Sequence, residues 1–580
     1  MNTSGSSGYS GDFNNKAHGS ACFLSPEDAL KVQLFDCDPA RGSIILARSG
    51  SGKPASLNRP GHVVLVAPAR SGKNVGVIIP ILLTYQNGSR VVIDGRAENA
   101  AVVSEYLESQ GVKVIRLDPT QKLASFGLNL KTHCFDPLHA SLTNPDQAQV
   151  LDDINMNADA LLVDKGGERD PHWRDGARQV LAAVMTYQAF YTPPEQRTLI
   201  AFSRLVSGID LPLEKTCQAL TFNKHPDFAL RDVISRMGAW YGKVNPKERA
   251  SFVSMALRST AWLNSPAWHK HVGKSDFNPM DLNTDKMAIF IICPFEKAEQ
   301  YAPWVRLVLT SLIIGILRGP RRHRVPTLFL LDEYANVVGR LALLEQSISF
   351  IEGSGARYVM VFHSIPQLSA MMPDNQFHAL IANAGAQVFM NVSDQVTADY
   401  VSKFMGNYSA MTPGPGGMSF VSRPLMMPDE ILTMPPDDAL VFIRGFRAAH
   451  LEKINVLRDQ PYKSMSDAGL LKPNPVHAIQ PPKPKALLAE PSQLLSIDDA
   501  IGDASTANIN LQSLTAALQD KYPGRNLCLQ DQLCGFYEPW TNPDTGETES
   551  VFTPIVHVSL LETLTNGGPH GDASSEHDRG

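Results

Sequence analysis

Apolar positions follow two rhythms along this chain. Between residues 61 and 119 stand three short, unbroken apolar runs: GHVVLVAP (61–68), SRVVIDGRAE (89–98) and GVKVIRLDP (111–119). Runs of this length bounded by turn residues predict strands buried on both faces, as in parallel sheets. VGVIIPILLTY (75–85) opens just after the first run and predicts a helix, with Pro80 either kinking it or lying near its first turn. Strand, helix, strand, helix, strand predicts an α/β fold with a doubly wound sheet. From 145 to 275 strand signals are few, and HWRDGARQVLAAVMTYQAFY (172–191) and ERASFVSMALRSTAWL (248–263) place apolar residues at helical spacing. Trp173, Trp262 and Trp268 fit helix packing there. Strand runs return at KMAIFIICP (286–294), TLFLLDEY (327–334), ARYVMVFHS (356–364), GAQVFMNV (385–392) and DALVFIRG (438–445). The sheet is therefore expected to be split by an inserted all-α region.

This pattern divides the chain into a Ser/Gly/Asn-rich disordered N-terminus (1–25), a first part of the α/β domain (26–140), an all-α insert (141–278) and a second α/β part (279–460). A Pro-rich linker (461–491) and an acidic C-terminal region with a disordered end (492–580) follow. Within that region, 505–565 alternates short apolar runs with turns. Residues 486–580 hold 3 Lys/Arg against 14 Asp/Glu, so the tail is more acidic than the whole chain, whose formal net charge is −6. The molecule as a whole has no basic field, and contact with DNA would need a local patch or a partner. The seven cysteines are odd in number and scattered, which argues against a disulfide framework and fits a reducing compartment. The N-terminus lacks a secretory pattern, and the longest apolar run, Leu307–Leu317, is bracketed by Arg306 and Arg318. It falls short of the roughly 18 residues that span a bilayer, so the chain reads as cytoplasmic, without a transmembrane segment.

Candidate chemistry gathers at strand ends. Ala67-Pro68-Ala69-Arg70-Ser71-Gly72-Lys73-Asn74 lies between a predicted strand and a predicted helix. A phosphate loop needs small residues whose N–H groups turn inward, a lysine for the β and γ phosphates, and a helix N-terminus for the negative charge. Ala69, Arg70, Ser71, Gly72, Lys73 and Asn74 are the candidates to line it. Ala67 replaces the usual first glycine, and Asn74 the usual Ser/Thr; Asn74 offers Mg²⁺ a carbonyl oxygen but no hydroxyl. Alone, the segment competes with an ordinary strand–helix turn. TLFLLDEY adds a buried strand ending in Asp332 and Glu333, the arrangement in which one acid holds Mg²⁺ and the next polarises the attacking water. The pair of motifs, expected on adjacent strands, points to ATP with Mg²⁺. Asp94 ends another strand, close to Arg96 and Glu98, and is a candidate nucleotide contact beside the reading of a surface charge cluster. His363, Ser364 and Gln367 follow a further strand where a γ-phosphate sensor belongs. No GxSxG, HExxH or EF-hand pattern is present.

APARSGKNVGVIIPILLTY, SRVVIDGRAEN, GVKVIRLDP, FLLDEYANVVGRL, FHSIPQL and SRPLMMPDEI, taken in this order, resemble the type IV secretion coupling proteins of the TraG/TraD kind across roughly residues 55–460. The resemblance implies a RecA-like P-loop ATPase domain with an inserted all-α domain, acting as a homo-hexamer. It implies delivery of DNA or protein substrates to a secretion channel at the inner membrane, with Lys73, Asp332 and Glu333 in the nucleotide site. Adaptors or substrates would be recruited through the insert or tail, beside the channel's other ATPases and membrane components. The family's usual N-terminal anchor has no counterpart in these residues, so attachment would be peripheral, through partners. A sensor glutamine of many relatives falls on His363. Arginine fingers are expected from a neighbouring subunit, with Arg306, Arg340 and Arg423 as candidates. A soluble ring motor that pumps DNA outside secretion, and an ATP-binding recruitment scaffold with weak turnover, remain as alternatives.

Overall fold

The computed structural model describes residues 18–163, 171–320, 323–372, 376–414, 417–466 and the strands 527–530, 533–541 and 548–557. The described residues up to 466 belong to one compact unit and the three late strands to a second.

Thirteen strands build the first unit: β1 Ile44–Arg48, β2 Pro54–Leu57, β3 His62–Val66, β4 Arg90–Asp94, β5 Lys113–Leu117, β6 Met287–Ile292, β7 Thr327–Leu331, β8 Ala356–Phe362, β9 Ala384–Met390, β10 Asn407–Gly414, β11 Gly417–Pro424, β12 Asp438–Ile443 and β13 Ala449–Glu452. Eleven of them form one sheet in the order β2-β1-β13-β12-β9-β3-β8-β7-β4-β6-β5. The stretch from β9 to β5 is parallel. β12, β13, β1 and β2 extend it antiparallel. β10 and β11 form a separate two-stranded sheet. The eight apolar runs read from the sequence are β3 to β9 and β12. Their unbroken hydrophobicity has a direct cause. Val64 and Val66 enter one core and Val63 and Leu65 the other, and β7 divides in the same way, with Phe329 and Leu331 opposite Leu328 and Leu330. Both faces are covered, so neither tolerates polar residues.

The phosphate-loop helix and the helix Glu98–Ser109 cover one face. The phosphate-loop helix starts as a widened π turn, Asn74–Ile78, and continues as Ile79–Thr84. Pro80 sits in the first turn of that second segment, where its missing N–H falls at the change of register. The other face is covered by the helix Ala298–Arg318 and by the helices between β5 and β6. Those run from Pro137–Leu142 to Pro266–His269, and Asp136, Asp146, Thr198, Asp227 and Asn245 cap five of them through side-chain oxygens. The longest, Pro171–Tyr191, meets Pro246–Thr260 at Gly176, where a Cβ would stand 2.3 Å from the Phe252 ring. Trp262 and Trp268 are buried edge to face at 4.6 Å, as expected of packing residues, whereas Trp173 is 37% exposed and touches Phe252 by its edge.

Three features differ from the sequence expectation. β3 and β7 are not neighbours; β8 lies between them. Residues 18–25, grouped with the disordered N-terminus by composition, are tied to the fold: Ser20 bridges Tyr408 and Leu24 N–H donates to Ala448. The Leu307–Leu317 run belongs to a longer helical stretch, Phe295–Arg318, long and apolar enough to cross a membrane. Nevertheless 89% of its most apolar window is buried inside the fold. The expected disorder of residues 1–17 and of the tail end, and most of the Pro-rich linker, lie outside the described residues. The described residues of the second unit form a three-stranded antiparallel sheet, β14 Leu527–Gln530, β15 Leu533–Thr541 and β16 Thr548–His557.

Arg306, one of the finger candidates, is fully buried in the helix Ala298–Arg318. Its guanidinium donates to the carbonyls of Ala160 (2.7 Å), Asp159 (3.3 Å) and Leu162 (3.3 Å), at the end of the insert helix Gln147–Leu161. It also donates to Val338 (3.1 Å) and Arg340 on the segment after β7. A side chain so engaged is unable to reach a neighbouring subunit, and Arg306 is a structural clamp instead. Arg306→Met should lower stability by about 3 kcal/mol, because several buried carbonyls lose their donor at once. Urea unfolding checks this, and a loss below about 1 kcal/mol would rule the clamp out.

Candidate functional site

Because β3, β8 and β7 are parallel, their C-terminal ends leave the sheet at one edge. Val66 is paired with Phe362, and Leu331 with Met360. Lys73, His363 and the Asp332–Glu333 pair are therefore delivered to one place by three different segments.

The loop after β3 bends through left-handed backbone at Arg70 (φ 64°) and Gly72 (φ 77°). Such turns aim successive N–H groups at a common point. Ala69 and Arg70 are exposed at the crest, while Ser71 and Lys73 are buried. Lys73 Nζ lies 2.9 Å from Asp332 Oδ1 and 2.7 Å from Glu333 Oε1. Glu333 itself has left-handed backbone, φ 54°, which turns its side chain back across the strand end. His363 Nε2 is 2.7 Å from Glu333 Oε1 and 3.5 Å from Lys73 Nζ. A carboxylate only accepts, so Nε2 carries the proton, and its approach to the ammonium is a contact between two donors rather than a bond.

Burial works against the charged form of all three groups, and the neighbours outweigh it for Glu333 and Lys73. Burial alone would raise Glu333, but the His363 hydrogen bond and Lys73 hold it down at about 2. Burial would lower Lys73, but Asp332 and Glu333 raise it. Asp332 is raised, first by burial and further by Glu333, against the pull of Lys73.

Behind Glu333 runs a short polar chain. Asn336 donates to Glu333 Oε2 at 2.8 Å, and Gln367 Nε2 approaches Asn336 Oδ1 at 3.4 Å. Gln367 Oε1 accepts from the His363 N–H at 2.7 Å. Gln367 thus has both ends of its amide engaged by protein and props His363 and Asn336. Ser364 caps the helix Ile365–Met371. Asp94 is buried at the end of β4, and its Oδ2 accepts from Ala100 N–H at 2.8 Å. It anchors the start of the helix Glu98–Ser109 and is not a surface charge. Burial raises it to about 7, with Glu98 and Asp332 adding to the effect against the Ala100 bond. Asn74 Nδ2 approaches Glu98 Oε2 at 3.5 Å, while Asn74 Oδ1 and Ser71 Oγ are buried without a hydrogen-bond partner. Of the remaining arginines, Arg340 pairs with Glu345 at 3.6 Å, and the half-exposed Arg423 on β11 pairs with Glu430 at 2.7 Å. Among the described residues, no group of three or more His, Cys, Asp or Glu is placed to hold a metal on its own.

The family described as type IV secretory system conjugative DNA transfer matches residues 18–474. The chain belongs to this family. Among its relatives in the conjugative DNA transfer family, Protein VirD4 of Rhizobium radiobacter is 26% identical over 434 residues, covering 70% of this chain and 58% of that protein. The conjugal transfer protein TraG of Escherichia coli is 24% identical over 510 residues, covering 76% of each. The chain spans between 58% and 65% of the length of three VirD4 proteins. Plasmid coupling protein TrwB, solved with the non-hydrolysable ATP analogue ADPNP, has the same fold with a TM-score of 0.53 at 16% identity, over 74% of this chain and 92% of that one. TrwB was also solved with ADP and Mg²⁺, at a TM-score of 0.53.

Asp94 gives the site a pH signature. Its folded value lies above the ordinary carboxylate value, so the folded state holds the proton more tightly. Stability should therefore fall as pH rises from about 4 to about 7. Asp94→Asn removes this penalty and should gain on the wild type by on the order of 3 kcal/mol across that window. Melting curves at pH 4.5 and 8 test it; equal differences at both would refute the assignment.

Proposed function

We propose that this protein is an ATP-hydrolysing coupling protein that recruits DNA and/or protein substrates and delivers them to a type IV secretion channel. The observation that carries the reading is the convergence of Lys73, Asp332, Glu333 and His363 at one sheet edge, in a chain of the conjugative DNA transfer family. The residues fit ATP with Mg²⁺. Ser71 Oγ and Asn74 Oδ1 are buried polar atoms without a partner beside a left-handed loop, and Asp332 offers a carboxylate. With only one carboxylate and one amide oxygen, Mg²⁺ would take its other ligands from phosphate and water.

Bound ATP would supply the phosphoanhydride, and Mg²⁺ the charge that organises its oxygens. Lys73 would exchange its two carboxylate partners for phosphate oxygens. Glu333 would then lose the Lys73 ammonium that helps hold it near 2 and become a better proton acceptor at Oε1, positioned by Asn336. His363 Nε2, already a donor toward this point, takes the role of γ-phosphate sensor in this reading. Asp94 and Gln367 support the site from behind. The solved TrwB complexes with ADP–Mg²⁺ and ADPNP support the nucleotide assignment. Assembly into a hexamer, recruitment through the helical insert or the acidic tail, and peripheral attachment at the inner membrane through channel partners complete the proposal.

Glu333→Gln should keep ATP binding and lower turnover at least about a hundredfold, the usual scale for loss of a positioned general base. Single-turnover assays with radiolabelled ATP measure it, and unchanged turnover would favour a recruitment scaffold. Cell fractionation tests the coupling role: the chain should appear in the membrane fraction only when the secretion channel is co-expressed. Recovery in the cytosol under that condition would count against it.

A further inference from the structure

Lys453 is a buried lysine on the far side of the phosphate loop, 8% exposed, just after β13. Its Nζ donates to the Ser71 carbonyl at 2.8 Å and to Asn391 Oδ1 at 2.7 Å. A Cβ placed on Gly72 would stand 3.8 Å from that ammonium. The backbone of Lys453 is held in turn: its N–H donates to Asp437, and its carbonyl accepts from Arg48 Nε at 3.2 Å. Among the described residues it makes no ion pair; Asp437 and Asp438 act on it only at longer range. The chain continues beneath the loop, where Val456 N–H donates to Val75 at 3.2 Å.

A trans peptide carries its C=O and N–H on opposite sides. Anchoring the Ser71 carbonyl on the outer side therefore turns the Gly72 N–H to the inner side, where phosphate oxygens belong. The left-handed backbone at Gly72 leaves this peptide free to flip, because a glycine resists neither orientation. A cation suits this position, since it fixes the carbonyl with a charge-assisted bond and leaves a positive charge behind the loop. We propose that Lys453 is a positioning residue of the nucleotide site, locking the Ser71–Gly72 peptide in its anion-binding orientation, with Asn391 holding the ammonium in place. The inference rests on the nucleotide reading above.

The test titrates Mg²⁺–ADP into the full chain and measures steady-state ATP turnover. Lys453→Met should weaken ADP at least about tenfold and raise KM for ATP to match, with kcat at saturation nearly unchanged. Lys453→Arg should restore most of the affinity, a recovery that a purely packing role does not predict. Asn391→Ala keeps the ammonium and removes its second anchor, and should weaken ADP about threefold or more. A folded Lys453→Met with ADP affinity within about twofold of wild type overturns the proposal, as does a fall in kcat at unchanged KM. If Lys453→Met does not fold, Asn391→Ala decides: unchanged ADP affinity there overturns it. Failure of the wild type to bind ADP would instead strike the nucleotide reading itself.

Discussion

An ammonium removed from water needs compensation within hydrogen-bond reach, and for Lys73 that comes from Asp332 and Glu333 at 2.9 and 2.7 Å. Losing one partner of such a buried set costs about 3–5 kcal/mol, because the other charge is stranded. The ends of β3 and β7 must therefore converge, and a third strand end supplies His363. The fold meets this demand with a parallel sheet, whose strands all leave by the same edge. β8 lies between β3 and β7, so His363 stands within reach of both Lys73 and Glu333.

What the sequence made legible was local. Eight apolar runs mark eight strands, since a strand covered on both faces has no polar side to hide it. Lys73, Asp332, Glu333 and His363 stand out as candidates because each follows such a run, and the structure brings the four together. What escaped depends on contacts between distant segments. Nothing near TLFLLDEY says that another strand intervenes before GHVVLVAP. Asp94 in VVIDGRAE reads equally as a nucleotide contact and as part of a surface charge cluster, and its burial and its bond to Ala100 rule out the second. Asn336 had a weak signal, standing three residues after Glu333 at helical spacing. Lys453 had none, because Ser71 is 382 positions away.

Arg306 illustrates the same limit. An arginine in an apolar helix draws attention as a mobile functional group, yet its donors are taken up by carbonyls from two separate segments. One segment ends an insert helix and the other follows the acids of β7. The helical insert is thus joined to the neighbourhood of Glu333 by one side chain. Any movement of the insert against the sheet has to be accommodated there, by bending of the Val338–Arg340 segment or by exchange of partners.

The antiparallel margin of the sheet bears on synthesis. β13, among the last strands of the first unit, lies between β12 and β1, close to the other end of the same unit. The segment after it carries the groups that back the phosphate loop. On the ribosome, β3 and its loop emerge long before those groups exist. A nascent chain ending ahead of Lys453 has the lysine and the glycine of the loop but not the amine that faces the Ser71 carbonyl. Pairings of such long sequence separation form late. The loop therefore gains its full hydrogen bonding only once almost the whole unit has been made.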